Sequence, residues 1–312
     1  MSNSSEEVTS PEQPEYIAAI DLGSNSFHMV VAKVIHGELR IVDKLGEKVQ
    51  LAADMVGGAL SRQAIERGLR CLQVFKAHLG DLGEDDILRV VATNALRVAV
   101  NSRTFIEPAE QLLGCPVDVI SGHEEARLVY MGVAHTQVDD CSRLVIDVGG
   151  GSTEIIVGRH FEPLMLDSVQ LGCVAYLRFF PNGEINHGNF QRAYNSARNE
   201  LVGVSTFCRG QWQNCMGCSG TLLAIEQVMI RAGLSQGGIE RSALSQLKAL
   251  LFEFDTIDAV NFQGLKASRR QVFASGLAIT IALFDSLEIE RMQLSSAALR
   301  DGVLYELMHK DS

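Results

Sequence analysis

The chain has 312 residues, 46% of them hydrophobic and 6% aromatic, with a formal net charge of -11 at pH 7. That length and apolar content suit about two globular domains. The acidic balance argues against a general nucleic-acid or anionic-membrane surface, and the scarcity of rings argues against recognition by base stacking. A polyanionic substrate stays open, because backbone N–H groups and a metal can make a site locally positive.

Residues 1–15 are polar and acidic, with neither a basic n-region nor an apolar h-region. They read as a disordered tail rather than a signal peptide. Strands are expected at Tyr16–Ile20 and Phe27–Ile35, and after a turn at His36–Leu39 another at Arg40–Asp43. Ser61 suits a helix N-cap, with Ile65, Leu69, Leu72 and Phe75 at helical spacing behind it. A buried strand at Ile87–Ala92 leads into a helix or turn at "TNALRVAVN". A helix at Phe105–Leu113, a strand at Val117–Ile120 and a helix at Gly122–Ala134, opening "GHEEAR", complete the first half.

The pattern then restarts. Strands are expected at Leu144–Asp147, Glu154–Val157 and Pro163–Gln170, and a long helix at Asn189–Phe207. "CMGCSGT" reads as a strand-to-helix turn. Helices follow near Leu222–Ala232, Ser242–Phe254, Arg269–Leu287 and Ala297–His309, with a short strand at Met292–Leu294. The repetition predicts two α/β domains related by duplication, 16–124 and 125–312, as a tight hinged pair. The seven cysteines, without an export signal, are expected reduced in a cytoplasmic protein. Cys215 and Cys218 read as small residues beside a turn rather than a redox or zinc pair, and no apolar run approaches the roughly 20 residues of a membrane span.

"AAIDLGSNSFHMVV" and "LVIDVGGGSTEIIV" are two copies of one design: an apolar run, an Asp, a Gly/Ser-rich turn and a second apolar run. Such a turn presents backbone N–H groups in a concave nest for phosphate oxygens, and glycine permits positive φ and close approach. Ser24, Asn25, Ser26, Gly149, Gly150, Gly151, Ser152 and Thr153 are therefore candidate phosphate-binding residues. Asp21 and Asp147, at equivalent places, are candidate Mg²⁺ ligands, directly or through water. On spacing alone, Glu124 and Glu125 are ordinary first-turn acids of a helix, Arg97 is a solvated arginine and Glu154 a solvent-facing strand residue.

Together with "VVATNALRVAVN", "VISGHEEARLVYMGVAHT", "QLGCVAYL", "MGCSGT" and "SAALRDGVLYELM", these stretches resemble the exopolyphosphatase/guanosine pentaphosphate phosphatase family over about Tyr16–His309. "HFEP", "FFPNGEIN" and "NFQRA" resemble the exopolyphosphatase branch more closely. The resemblance implies a duplicated actin-like (ribonuclease H-like) α/β fold with two domains around a cleft. It implies hydrolysis of a terminal phosphoanhydride, of inorganic polyphosphate or guanosine pentaphosphate, with Mg²⁺ or Mn²⁺. It makes Glu125, the second Glu of "EEAR", the base that takes a proton from water. Arg97 becomes a substrate-gripping arginine and Glu154 an acid assisting metal or water. Longer family members carry a further C-terminal helical part; nothing here resembles its H…HD motif, so this chain is expected to be a short member or the N-terminal part of a longer one. Homodimerisation and peripheral membrane association are left open. A kinase of the same superfamily and a non-catalytic polyphosphate sensor are the competing readings.

Overall fold

The computed structural model describes residues 15–80, 86–136 and 140–309. Of the expected N-terminal tail, all but Glu15 lies outside them. The first half contains β1 (Tyr16–Leu22), β2 (Ser26–Ile35), β3 (Glu38–Lys48), α1 (Arg62–Leu79), β4 (Ile87–Ala92), α2 (Asn94–Val98), α3 (Arg103–Leu113), β5 (Val117–Val119) and α4 (Gly122–Ala134). The second begins with β6 (Arg143–Val148), β7 (Thr153–Arg159) and β8 (Glu162–Val169). It continues through α5 (His187–Glu200), α6 (Val202–Cys208), β9 (Asn214–Gly217), α7 (Gly220–Arg231), β10 (Ile239–Glu240) and α8 (Arg241–Leu251). It ends with α9 (Ala267–Arg270), α10 (Phe273–Leu287), β11 (Arg291–Leu294) and α11 (Leu299–His309).

The two sheets repeat one topology. In the first the order is β3-β2-β1-β4-β5, and in the second β10-β11-β9-β6-β7-β8. Each is an antiparallel three-strand meander (β1-β2-β3, β6-β7-β8) whose first strand pairs in parallel with the next (β4, β9). This is the duplicated actin-like α/β fold that the motifs imply.

Period-two alternation divides each central strand between two cores. In β1, Ala18, Ile20 and Leu22 face an outer core with α1 and α3, while Ile17 and Ala19 face inward. In β6 and β7, Leu144, Ile146, Ile155 and Val157 face the outer core of the second half, while Val145 and Ile156 face inward. The inner faces of both sheets share one apolar cluster with α4 and α11. Continuing the alternation puts Asp21, Asp147 and Glu154 on those inner faces, at the ends of their strands.

Ser61 caps α1 as expected, its hydroxyl accepting from Ala64 N. Three expectations shift. The third strand runs from Glu38 to Lys48 because, as an exposed edge strand, it carries no alternating signal in its sequence. The helix expected at Asn189–Phe207 breaks at Leu201, where ψ opens to -7°. The helix expected from Arg269 starts as α9 and restarts at Phe273 beyond Val272, whose ψ is 4°.

Candidate active site

Both Gly/Ser turns line one cavity of about 230 Å³ between the sheets. From the first come Asp21, Gly23, Ser24, Asn25 and Ser26; from the second Asp147, Gly149, Gly150, Gly151, Ser152 and Glu154; from the first turn of α4, Glu125. Among the described residues, the polar and charged lining outside the turns also includes His28, Asn94, Arg269 and Arg300.

The turns are built alike. A Cβ at Gly23 would lie 2.8 Å from Ser26 O, and one at Gly149 would lie 3.0 Å from Ser152 O. Contrary to expectation, none of Gly23, Gly149, Gly150 and Gly151 adopts a positive φ. Glycine is needed for close approach instead. A Cβ on Gly150 would reach 2.9 Å from Ser24 Cβ, and one on Gly151 would collide with the Asn94 side chain. The two halves thus touch, loop against loop, and Asn94 Nδ2 donates to Gln170 Oε1 at 3.4 Å beside that contact. Neighbouring segments pin both turns. Ser24 O accepts from Ala52 N, Asn25 O from Val49 N and Gln50 N, and Gly150 O from Val174 N and Ala175 N.

Thr153 does not reach the cavity. It precedes Glu154 in an extended strand, so alternation turns it to the opposite face, where it is fully buried and its hydroxyl donates to Leu171 O. Arg97 does not line the cavity either, but it grips the group that does. Its Nη1 donates to Glu125 Oε2 at 3.1 Å and to Ile120 O at 2.8 Å. Arg97 Nη2 is buried without a hydrogen-bond partner. Glu124, about 100° further round the helix, pairs instead with Arg127.

Glu125 stands at the start of α4 because Ser121 caps the helix, accepting from Glu124 N at 3.1 Å. Burial first, then the Glu154 charge, push the Glu125 carboxyl well above the usual range, against the pull of Arg97. Burial, Glu154 and Asp21 likewise raise Asp147, opposed by Arg300 and Arg269. Glu154 rises from 4.5 to about 7, chiefly through burial, although hydroxyls of Ser168 and Ser152 donate to it. Ser168 sits opposite Glu154 in the β7–β8 register, its Oγ 2.8 Å from Oε1. Four carboxylates face one space, and three of them, Glu125, Asp147 and Glu154, are costly to ionise there, which describes a pocket built for positive charge or for proton transfer.

The donor set suits a hard cation. It consists of carboxylate oxygens, and Asp21 Oδ1 is buried with no hydrogen-bond partner. Among the described residues no three His, Cys, Asp or Glu side chains converge closely enough to chelate an ion unaided. A Mg²⁺ or Mn²⁺ held here would therefore rest on one or two of Asp21, Asp147 and Glu154, with water or ligand oxygens completing its shell.

Sequence reasoning missed His28, Asn94, Arg269 and Arg300 as cavity residues. His28 is the register partner of Asp21, its Nδ1 3.8 Å from Oδ2. Asn94 and Arg300 lay inside quoted motifs, "TNAL" and "SAALRDG", which was the available signal. Arg269 had none. The cysteines of the C-x-x-C are both buried and free, on opposite sides of the sheet, in line with the packing interpretation. Among the described residues no helix is long and apolar enough to cross a membrane.

The model of the Ppx/GppA phosphatase family matches residues 30–311. The chain belongs to the Ppx/GppA phosphatase family. Among solved structures, it resembles the Aquifex aeolicus Ppx/GppA family member at 23% identity and a TM-score of 0.77, covering 95% of this chain and 98% of that one. An exopolyphosphatase from Cytophaga hutchinsonii is similar at 21% identity and a TM-score of 0.84, covering 94% and 97%. The type II variant of the Aquifex aeolicus Ppx/GppA phosphatase matches at 23% and 0.71, covering 94% and 99%. At these identities the likeness establishes the fold. As a Ppx/GppA phosphatase, the chain is a hydrolase of phosphate compounds.

Proposed function

We propose that this Ppx/GppA phosphatase is an exopolyphosphatase that removes the terminal phosphate of inorganic polyphosphate as orthophosphate. The observation carrying this reading is the convergence of two Gly/Ser turns, from opposite sheets, with Glu125 on one small cavity. The turns bind and orient the end phosphoryl group through N–H and hydroxyl donors. Glu125, raised by burial and neighbouring acids, is suited to accept a proton from the attacking water. As the water oxygen bonds to phosphorus, the bridging P–O bond breaks and its electron pair leaves with the shortened chain. Arg97 holds the Glu125 carboxylate by its Oε2, keeping the other oxygen available for water. Bound Mg²⁺ would supply positive charge against the carboxylates and the phosphoryl oxygens.

The cavity wall favours polyphosphate over guanosine pentaphosphate as substrate. Much of its lining is glycine, hydroxyl, acid and arginine, groups that suit phosphoryl oxygens, and among the described lining residues the one aromatic ring is that of His28. Orthophosphate release from long-chain polyphosphate, guanosine pentaphosphate and ATP, side by side with and without Mg²⁺, tests the reading. The expectation is Mg²⁺-dependent release fastest from polyphosphate, falling about 10²–10⁴-fold in Glu125→Gln. Faster release from the nucleotide would shift the assignment to that substrate, and binding without turnover would make the chain a sensor.

A further inference from the structure

The cavity's acids have answered for most of its chemistry, yet Arg300 faces the same space. It sits in the first turn of α11. That turn is pinned by Ser295 N donating to Gly217 O at 2.8 Å and by Asp301 accepting from Ala298 N at 2.9 Å. Arg300 Nε is buried with no hydrogen-bond partner, and among the described residues no carboxylate lies within ion-pairing distance of its guanidinium. Arg269 lines the same cavity, while the remaining arginines nearby are ion-paired. Arg89 and Arg127 both pair with Glu306, Arg89 also with Asp118, and Arg127 also with Glu124. Arg97 is held by Glu125. An unsatisfied buried guanidinium nitrogen costs free energy that an anionic ligand recovers, and the planar fork suits phosphoryl oxygens.

Its position relative to Glu125 is fixed by backbone contact. A Cβ on Gly132 of α4 would collide with Ala298 O, and a Cβ on Gly302 of α11 would collide with Leu128 O. The two helices cross glycine on glycine, and Glu306 of α11 clamps Arg127 of α4 and Arg89 of β4 below the crossing. Each helix therefore delivers one group from its first turn into the cavity: Glu125 from α4 and Arg300 from α11.

We propose that Arg300 is a further substrate-binding residue of this enzyme, whose guanidinium holds a non-bridging phosphoryl oxygen of the anhydride across the cavity from Glu125. The proposal rests on the anhydride reading above. It adds a cavity cation that forms no ion pair among the described residues, so anion binding should weaken in its absence even where turnover is blocked.

The experiment measures binding of inorganic tripolyphosphate by calorimetry in the full chain carrying Glu125→Gln, with and without Arg300→Ala. Phosphate release by Arg300→Ala alone is measured in parallel. Arg300→Ala is expected to weaken binding at least tenfold, with partial recovery in Arg300→Lys and when guanidinium chloride is added to the alanine variant. A purely structural role would not respond to added guanidinium. Unchanged affinity, or a loss that neither lysine nor guanidinium restores, overturns the assignment. Should the alanine variant fail to fold, Arg300→Gln is measured by the same criteria. If wild-type chain releases no phosphate from any anhydride, the functional reading falls, while the calorimetry still decides whether Arg300 binds the anion.

Discussion

Glu154 is buried to 1% exposure, and its carboxyl is raised from 4.5 to about 7. Replacing it with glutamine removes the ionisation and keeps the shape and an acceptor for Ser168. In the unfolded chain the acid loses its proton near 4.5, but in the folded chain only near 7. Between those values the folded state holds one more proton, so stability falls as pH rises. At about 1.4 kcal/mol per pH unit, the full cost above pH 7 is roughly 3 kcal/mol. Metal-free Glu154→Gln is thus expected to match wild type near pH 4.5 and to exceed it by about 2–3 kcal/mol at pH 8. Glu125 and Asp147 are raised in the same direction, so the variant keeps a weaker pH slope of the same sign. Urea unfolding of both proteins in a chelating buffer, at four or five pH values, measures the difference. A gap that does not widen with pH, or a variant less stable than wild type at pH 8, would refute the account of Glu154 as a carboxylate held at a cost.

The same charge argument applies to metal addition. Millimolar Mg²⁺ is expected to raise the melting temperature more at pH 8 than at pH 5, and equal shifts at both would remove the carboxylates as its ligands. Gly151→Ala places a methyl group against Asn94, which costs about 1–3 kcal/mol of the closed arrangement. The kcat/KM for phosphate release should fall about 5- to 140-fold at 1.4 kcal/mol per factor of ten. Adding Asn94→Ala leaves only a Cβ at 3.2 Å and should raise the activity above that of the single variant. A double variant no better than Gly151→Ala would show that loop contact is not the reason for glycine. Gly302→Ala meets the Leu128 carbonyl, part of a helix backbone that cannot retreat as a side chain can. A loss of at least about 1–3 kcal/mol by denaturant unfolding is expected, and a neutral substitution would mean the helices are not in backbone contact.

The sequence by itself determined what is local. The capping Ser61 placed one helix start, and the apolar runs ending in Asp21 and Asp147 placed two strand–turn–strand units. Their likeness to each other announced the duplication, and the two sheets with one topology followed from it. These signals were legible because cap, turn and alternation depend on residues within a few positions of one another.

What only the tertiary structure decided is how distant pieces meet. Strand parity set Thr153 into the core and its neighbour Glu154 into the cavity. Arg97 became a partner of Glu125 only when α2 and α4 packed within the first half, and Asn94 met Gly151 only when the halves closed on each other. Arg269 and Arg300 reached the cleft from the far end of the chain, through a helix break and a glycine-on-glycine crossing. Such contacts join residues far apart in sequence, and their energies depend on burial and on the field of neighbouring charges, neither of which exists until the chain has folded.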